Sequence, residues 1–146
     1  MSESTQFATF TLEGLLFGVE VQQVQEVIRY QAMTRVPLAP EVVSGLINLR
    51  GQIVTAIDLR RRLGFRPRAE GRLPMNVVVR TADGAVSLLV DEIGDVVEAE
   101  ESAFETPPET LQGSARALIR GAYKLEGKLL LVLDTARAAE VETANA

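Results

Sequence analysis

The chain of 146 residues contains no cysteine and no histidine. Without cysteine there is no disulfide framework, and nothing in the sequence calls for an oxidising compartment. Without histidine, Ser-His-Asp and Cys-His catalytic pairs, histidine-based metal sites and phosphohistidine relays are excluded. Phosphate-binding glycine loops of the Gly-x-x-x-x-Gly-Lys-Ser/Thr and Gly-x-Gly-x-x-Gly types are also missing. We therefore expect neither an enzyme nor a cofactor-dependent protein.

Long apolar segments are absent as well. The longest apolar run is five residues, 129–133, whereas a membrane-spanning helix needs about 20. The first residues lack the basic and apolar regions of a signal peptide. These absences predict a cytoplasmic protein with no direct membrane insertion.

The charge is acidic overall and unevenly distributed. The formal net charge is −5, and Lys124 and Lys128 are the only lysines. Residues 1–73 carry nine Arg or Lys and seven Asp or Glu, and residues 74–146 carry six and thirteen. This balance, with only seven aromatic residues, argues against nucleic acid as the partner. An oligonucleotide-binding barrel and a small-molecule-sensing or enzymatic barrel remain alternatives.

A basic run is the one place where positive charge concentrates. Its members are Arg60, Arg61, Arg62, Arg66 and Arg68. Two interpretations are open: a solvated basic helix with its linker, or a docking patch for an acidic partner.

What the sequence does contain is a series of short alternating apolar segments separated by turns. Glycines follow polar residues at 13–14, 50–51, 83–84 and 126–127, which is typical of hairpins. Short helices are predicted at 59–63, 115–119 and 135–141, with one possible helical turn at 41–44 and a long acidic loop at 98–113. About ten short strands with so little helix indicate an all-β architecture.

The two halves of the chain resemble each other. A shift of 76 residues places Gly45 on Gly121 and Asp58 on Asp134, and a shift of 69 places Glu26 on Asp95. Two such matches in the same order predict two similar five-stranded barrels, at about 6–70 and 74–140, within a single domain spanning 1–146. Exchange of strands between the barrels is left open. Both repeated aspartates are predicted to cap short helices.

The repeated hairpins differ at their tips. Arg50 falls on Glu126, and Asn48 falls on Lys124. Because the frame repeats and the tips do not, we expect specific contacts at the tips.

Several segments together resemble the CheW family of chemotaxis coupling proteins. They are Val24-Gln-Glu-Val, Gly45-Leu-Ile-Asn-Leu-Arg-Gly, Ile57-Asp-Leu-Arg, Val90-Asp-Glu-Ile-Gly-Asp-Val and Ile119-Arg-Gly-Ala-Tyr-Lys-Leu-Glu-Gly. The resemblance covers about residues 6–140 and departs at Thr55, where the family commonly has proline. It implies two SH3-like, five-stranded β-barrels packed together with a few short helices. It also implies an adaptor without catalytic activity.

The resemblance further implies two partners, the cytoplasmic tip of chemoreceptors and the regulatory domain of the histidine kinase CheA, at membrane-associated receptor arrays. An adaptor of a non-flagellar chemosensory pathway is the alternative within the same class. Carried onto this sequence, the family's binding role points first to Arg50, then to Val24 and Glu26. Further candidates are Ile53 and Val54 as supports of the tip, and Leu88 and Val96 on the second barrel's surface. Strand alternation favours a core position over an interface position for each of the five apolar candidates.

Overall fold

The computed structural model describes residues 4–109 and 111–140. The strands are β1 (Ser4–Leu12), β2 (Leu15–Glu20), β3 (Val24–Ile28), β4 (Val43–Leu49), β5 (Gln52–Asp58), β6 (Met75–Thr81), β7 (Gly84–Val90), β8 (Glu92–Glu100), β9 (Phe104–Glu105), β10 (Ile119–Leu125) and β11 (Lys128–Leu133). The α-helices are α1 (Leu59–Arg62), α2 (Gly113–Leu118) and α3 (Thr135–Ala139), and single 3-10 turns lie at Val21–Gln23 and Glu101–Ala103. The predicted all-β class is confirmed.

The strands form two sheets, and each sheet takes strands from both halves of the chain. The six-stranded sheet has the order β8-β1-β2-β11-β10-β9, and the five-stranded sheet has the order β3-β6-β7-β5-β4. Neighbours pair antiparallel except β2 with β11 and β5 with β7, which are parallel. The division into repeats at 6–70 and 74–140 stays a prediction, because both sheets cross that boundary.

The internal repeat extends to the register of the hairpins. Gly45 pairs with Ala56 in the first half, and Gly121 pairs with Val132 in the second, 76 positions later. Each pairing follows a β-bulge at the same place in its strand. A bulge re-aims a strand and is a built-in feature of a fold, so the halves share the same local distortion as well as the same strand order.

The two repeated aspartates cap helices, as predicted. The Asp58 carboxylate accepts a hydrogen bond from Arg60 N at the start of α1, and Asp134 accepts one from Arg137 N at the start of α3. Such a cap satisfies an amide that the first helical turn leaves without a partner, and it is worth about 1 kcal/mol.

One large core draws side chains from both sheets and all three helices, and each sheet also has a smaller cluster. The cluster of the six-stranded sheet consists of Phe7, Ala99, Tyr123, Leu130 and Val132. The cluster of the five-stranded sheet consists of Ile47, Val54, Ala56 and Leu89. Fully burying one such aliphatic side chain contributes roughly 1.5–3 kcal/mol, so these clusters help each sheet to cover both of its faces.

Three local predictions differ from the structure. Residues 43–44 begin β4 and do not extend a helical turn. The segment 98–113 is not one loop, because β8 continues to residue 100 and β9 pairs with β10 inside it. The last helix ends at residue 139, and Val141, its predicted end, lies outside the described residues. Within the described ranges, no helix is long and apolar enough to cross a membrane.

Candidate functional site

The corner between β4 and β5 has an unusual backbone. Arg50 has a φ of 52° and Gly51 a φ of 89°, as in the type I′ turns that suit two-residue hairpin loops. Glycine adopts this conformation freely, but another L-residue pays roughly 1–2 kcal/mol for it. The Asn48 carboxamide oxygen accepts a hydrogen bond from Gly51 N at 2.8 Å and so braces the turn. The turn itself therefore gives no reason for an arginine.

The side chain of Arg50 makes a forked ion pair with Glu26. Arg50 Nη2 lies 2.7 Å from Glu26 Oε1, and Nη1 lies 3.2 Å from Oε2. The arginine side chain is 80% exposed and the glutamate only 16%. Bidentate pairs of this kind fix orientation as well as adding energy. The arginine at the tip therefore has a defined direction although it faces solvent.

This ion pair also joins the two edges of the five-stranded sheet. Glu26 lies in β3, whereas Arg50 follows β4, and these strands are at opposite ends of the strand order. An arginine side chain can bridge them only if the sheet curls until its edges approach. The structure thus brings together two residues that are 24 positions apart, and both were among the predicted site residues.

The matching corner of the other half has no such pair. Arg50 corresponds to Glu126 and Glu26 to Asp95, so the repeat places two acids where the first half has an arginine and an acid. Two carboxylates cannot form an ion pair. Of the two hairpin tips, only the β4–β5 corner combines a cation with a direct link to the opposite edge.

The five apolar candidates divide into exposed and buried residues. Ile53 is 60% exposed and Val96 59%, while Val24 is half-buried against the large core. The core interpretation of Ile53 and Val96 is therefore wrong. Val54 and Leu88 are completely buried, so the expectation that Leu88 lies on the second barrel's surface is also wrong.

This division depends on where each residue lies in its sheet. Alternation shows which residues share a face but not which end of that face is covered. Ile53 lies on the face of β5 opposite to Val54, at the tip and beyond the core. Leu88 lies in β7, which has strands on both sides, and Val96 lies in β8, an edge strand. Ile53 thus adjoins the Arg50 corner in its hairpin, while Val96 belongs to the other sheet.

The basic run forms internal contacts. Arg60 Nε lies 2.8 Å from Asp91 Oδ1, and Arg68 Nε lies 3.0 Å from the same oxygen. Arg66 Nε donates to Glu13 Oε1 at 2.9 Å, and the Glu13 amide donates to Asp91. We call these five residues the ionic cluster. Neither earlier interpretation of the run holds for Arg60 and Arg68, because their side chains are largely buried and already paired.

The contacts in the ionic cluster shift the pKa values of Asp91 and Arg60. Burial by itself would raise the pKa of Asp91, but hydrogen bonds from Arg60, the Glu13 amide and Arg68 outweigh it and lower that pKa to about 2. The Asp91 hydrogen bond likewise raises the pKa of Arg60. Asp91 and Arg60 are therefore both charged at neutral pH. The sequence contained one signal for the ionic cluster, because Asp91 directly follows a buried strand. Nothing in the sequence linked Asp91 to the arginines.

Comparison with known proteins identifies the family. The CheW-like domain family matches residues 6–142. The chain belongs to the CheW family. It is 34% identical to the chemotaxis protein CheW of Bacillus subtilis over 128 residues, covering 86% of this chain and 80% of that one. It is 28% identical to CheW of Treponema pallidum over 136 residues, covering 90% and 80%.

A solved structure agrees with the family assignment. The crystal structure of the scaffolding protein CheW from Thermoanaerobacter tengcongensis matches with a TM-score of 0.85 and 27% identity, over 99% of this chain and 98% of that one. The chain is thus a chemotaxis scaffold of the CheW type, without catalytic activity.

Proposed function

We propose that this CheW-family scaffold couples chemoreceptors to the histidine kinase CheA. The partners are the cytoplasmic tip of the receptors and the regulatory domain of the kinase, and the complex forms in the cytoplasm at membrane-associated receptor arrays. Support comes from the family, whose relatives are chemotaxis proteins, and from the neighbouring structure, which is a scaffolding protein. No nucleic acid takes part.

The observation that carries this proposal is the Arg50–Glu26 corner. A guanidinium has five N–H donors, and Glu26 engages two of its nitrogens. The other donors face solvent on a side chain whose direction is already set, so binding costs less side-chain entropy than it would for a free arginine. Ile53 supplies exposed apolar surface in the same hairpin. An amphipathic receptor helix with an acidic residue beside its apolar stripe fits such a surface.

The second partner requires a second surface. β8 is an edge strand of the six-stranded sheet and exposes Val96, which suits pairing with the kinase's regulatory domain. Val24 lies in the same strand as Glu26 and packs against the large core. Val54 and Leu88 are completely buried and act only by holding the strands in place. Two preformed surfaces on one rigid body hold two partners at fixed geometry, so differential contacts can shift the kinase between states.

The substitution Arg50→Glu tests the corner. We expect the fold to persist and the affinity for the receptor tip to fall by more than about 1 kcal/mol, because a hot-spot arginine is replaced by a residue that repels both Glu26 and an acidic partner. Isothermal titration calorimetry against the receptor tip and the kinase regulatory domain measures this. Glu126→Arg is the matched control, a charge reversal at the corresponding tip. Unchanged affinity of Arg50→Glu for both partners would contradict the role of Arg50.

A charge swap separates direct contact from bracing. In the double variant Glu26→Arg with Arg50→Glu, the two charges can still pair but the exposed cation is lost from the tip. If Arg50 contacts the receptor, binding stays weak in the swap. If only the link between the sheet edges matters, binding returns. A pull-down from the source cells then identifies the kinase and receptors, and so decides between swimming chemotaxis and a non-flagellar chemosensory pathway.

A further inference from the structure

A pocket of about 400 Å³ opens in the six-stranded sheet, away from the Arg50 corner. Its apolar lining includes Phe7, Phe104 and Tyr123, and its charged lining consists of Glu20, Glu101 and Arg120. The volume lies at the lower end of the range for small-molecule sites. The pocket therefore has room for one small group among aromatic rings and acidic side chains.

The aromatic residues form one packed group around Tyr123. The ring centroid of Tyr123 is 5.4 Å from that of Phe7 and 5.1 Å from that of Phe104. Tyr123 is only 7% exposed, and none of the hydrogen bonds among the described residues involves its hydroxyl. The hydroxyl itself reaches the surface, because the one buried side-chain polar atom without a partner among the described residues is Arg68 Nη2. The Tyr123 hydroxyl lines the pocket, so it is available to a bound group.

The charges around the pocket favour a cation. Burial and the Glu101 carboxylate raise the pKa of Tyr123, so its hydroxyl stays protonated and faces a negative rim. Arg120 offsets part of this charge, but its Nη1 is 3.8 Å from Glu20 Oε2 and its side chain is 55% exposed. Such a loose surface pair is weak.

The repeat shows that the fold does not require this combination. At the positions that correspond to Phe7, Glu20 and Tyr123, the five-stranded sheet has Asn76, Leu89 and Ile47. That sheet forms the same strand order without an aromatic ring or an acid at any of these places. The pocket is therefore a feature added to one sheet.

We propose that this pocket binds a guanidinium group. A planar guanidinium can contact aromatic rings and pair with carboxylates at the same time, which a compact ammonium does less well. Tyr123 would hold the group through its ring and its hydroxyl oxygen, and Glu101 and Glu20 would accept its N–H donors. The group can come from a free guanidino compound or from an arginine side chain of a protein. This site does not depend on the receptor and kinase partners proposed above.

NMR titration of the 146-residue chain at fixed ionic strength tests the proposal. Agmatine represents free guanidino compounds, and N-acetyl-L-arginine amide represents an arginine side chain. N-acetyl-L-citrulline amide is the neutral control of nearly the same shape. We expect saturable shifts at Phe7, Phe104 and Tyr123 with at least one guanidinium probe and none with the citrulline compound. The tighter probe identifies the source, and no saturable shift with either probe would overturn the proposal.

Variants sharpen this test. Glu101→Gln and Tyr123→Phe should each weaken binding by about two- to fivefold, since each removes one partly exposed polar contact. Arg120→Gln should strengthen it, because a competing cation is removed. Glu70→Gln is the matched control, with the same loss of charge at a residue that does not line the pocket. If Glu70→Gln weakens binding as much as Glu101→Gln, the probe responds only to net charge and the site is disproved.

Discussion

The β4–β5 and β10–β11 hairpins share a bulge and a two-residue loop, yet their tips differ in charge and in backbone, because Arg50 has a φ of 52° and the φ of Glu126 is not positive. Arg50 extends from one tip and is held by Glu26 across the sheet edges. Glu126 occupies the other, and its counterpart across the sheet, Asp95, is also acidic. The comparison shows that the same strand pairing can carry tips of different charge and different backbone conformation. Two similar units can therefore present different surfaces to different partners.

The two sheets also differ in the buried side chains at corresponding positions. In the five-stranded sheet, the Ser87 hydroxyl donates to the Asn76 carboxamide at 2.7 Å, and Asn76 Nδ2 donates to the Arg29 carbonyl oxygen at 3.0 Å. The corresponding pair in the six-stranded sheet is Gly18 and Phe7. A buried polar pair is tolerated because its hydrogen bonds are satisfied. The shared frame accepts either a polar or an aromatic interior.

The ionic cluster is the strongest asymmetry between the halves, because Asp91 corresponds to Gln22. We expect Asp91→Asn to lower the free energy of unfolding by about 3 kcal/mol, since two largely buried arginines lose a charged partner. Urea unfolding measures this. Asp83→Asn, the same change at an exposed hairpin, is the control and should stay within about 0.5 kcal/mol of the parent. Equal effects of the two changes would show that the cluster adds nothing specific.

The pH dependence of the free energy of unfolding also tests the contribution of the ionic cluster. The pKa of Asp91 is lowered to about 2 from 3.8, so its charged form stabilises the fold above pH ~4. That contribution is lost as the pH falls from about 4 to about 2 and amounts to about 2 kcal/mol. The free energies of unfolding of the parent chain and of Asp91→Asn should therefore converge as the pH falls over this range. A constant difference between them down to pH 2 would exclude Asp91 as the titrating group.

The shared frame is tested at its paired glycines. A Cβ at Gly45 would lie 2.7 Å from the Thr34 carbonyl oxygen, and one at Gly121 would overlap the Phe104 ring and lie 2.8 Å from the Glu105 carbonyl oxygen. Each alanine substitution should cost roughly 1–3 kcal/mol because a crossing backbone segment must move. Chemical unfolding compares them with Gly71→Ala, where a Cβ would meet no other atom. That substitution should cost only about 1 kcal/mol, because alanine disfavours the left-handed backbone at this position. Costs no larger than that of Gly71→Ala would remove the argument for a shared close approach.

Much of the frame was predictable because it depends on local patterns. Glycines after polar residues predicted the hairpins, and the two offsets, 76 and 69, predicted which strands correspond. Asp58 and Asp134 were predicted as helix caps, since a cap depends on residues only two or three positions away. The same offsets indicated that the counterpart of Arg50 is an acid, Glu126.

The contacts of the site were less predictable because they join distant parts of the chain. Nothing local links Arg50 to Glu26, or Arg60 to Asp91. The burial of Leu88 and the exposure of Val96 follow from their places in a central and an edge strand, which alternation does not show. Sequence by itself determined the all-β class, the repeat and the residue at the tip, because these depend on short-range stereochemistry and on residue identity. Only the tertiary structure decided which strands share a sheet, which arginines are paired and which direction Arg50 takes, because these depend on how the sheets curl and pack.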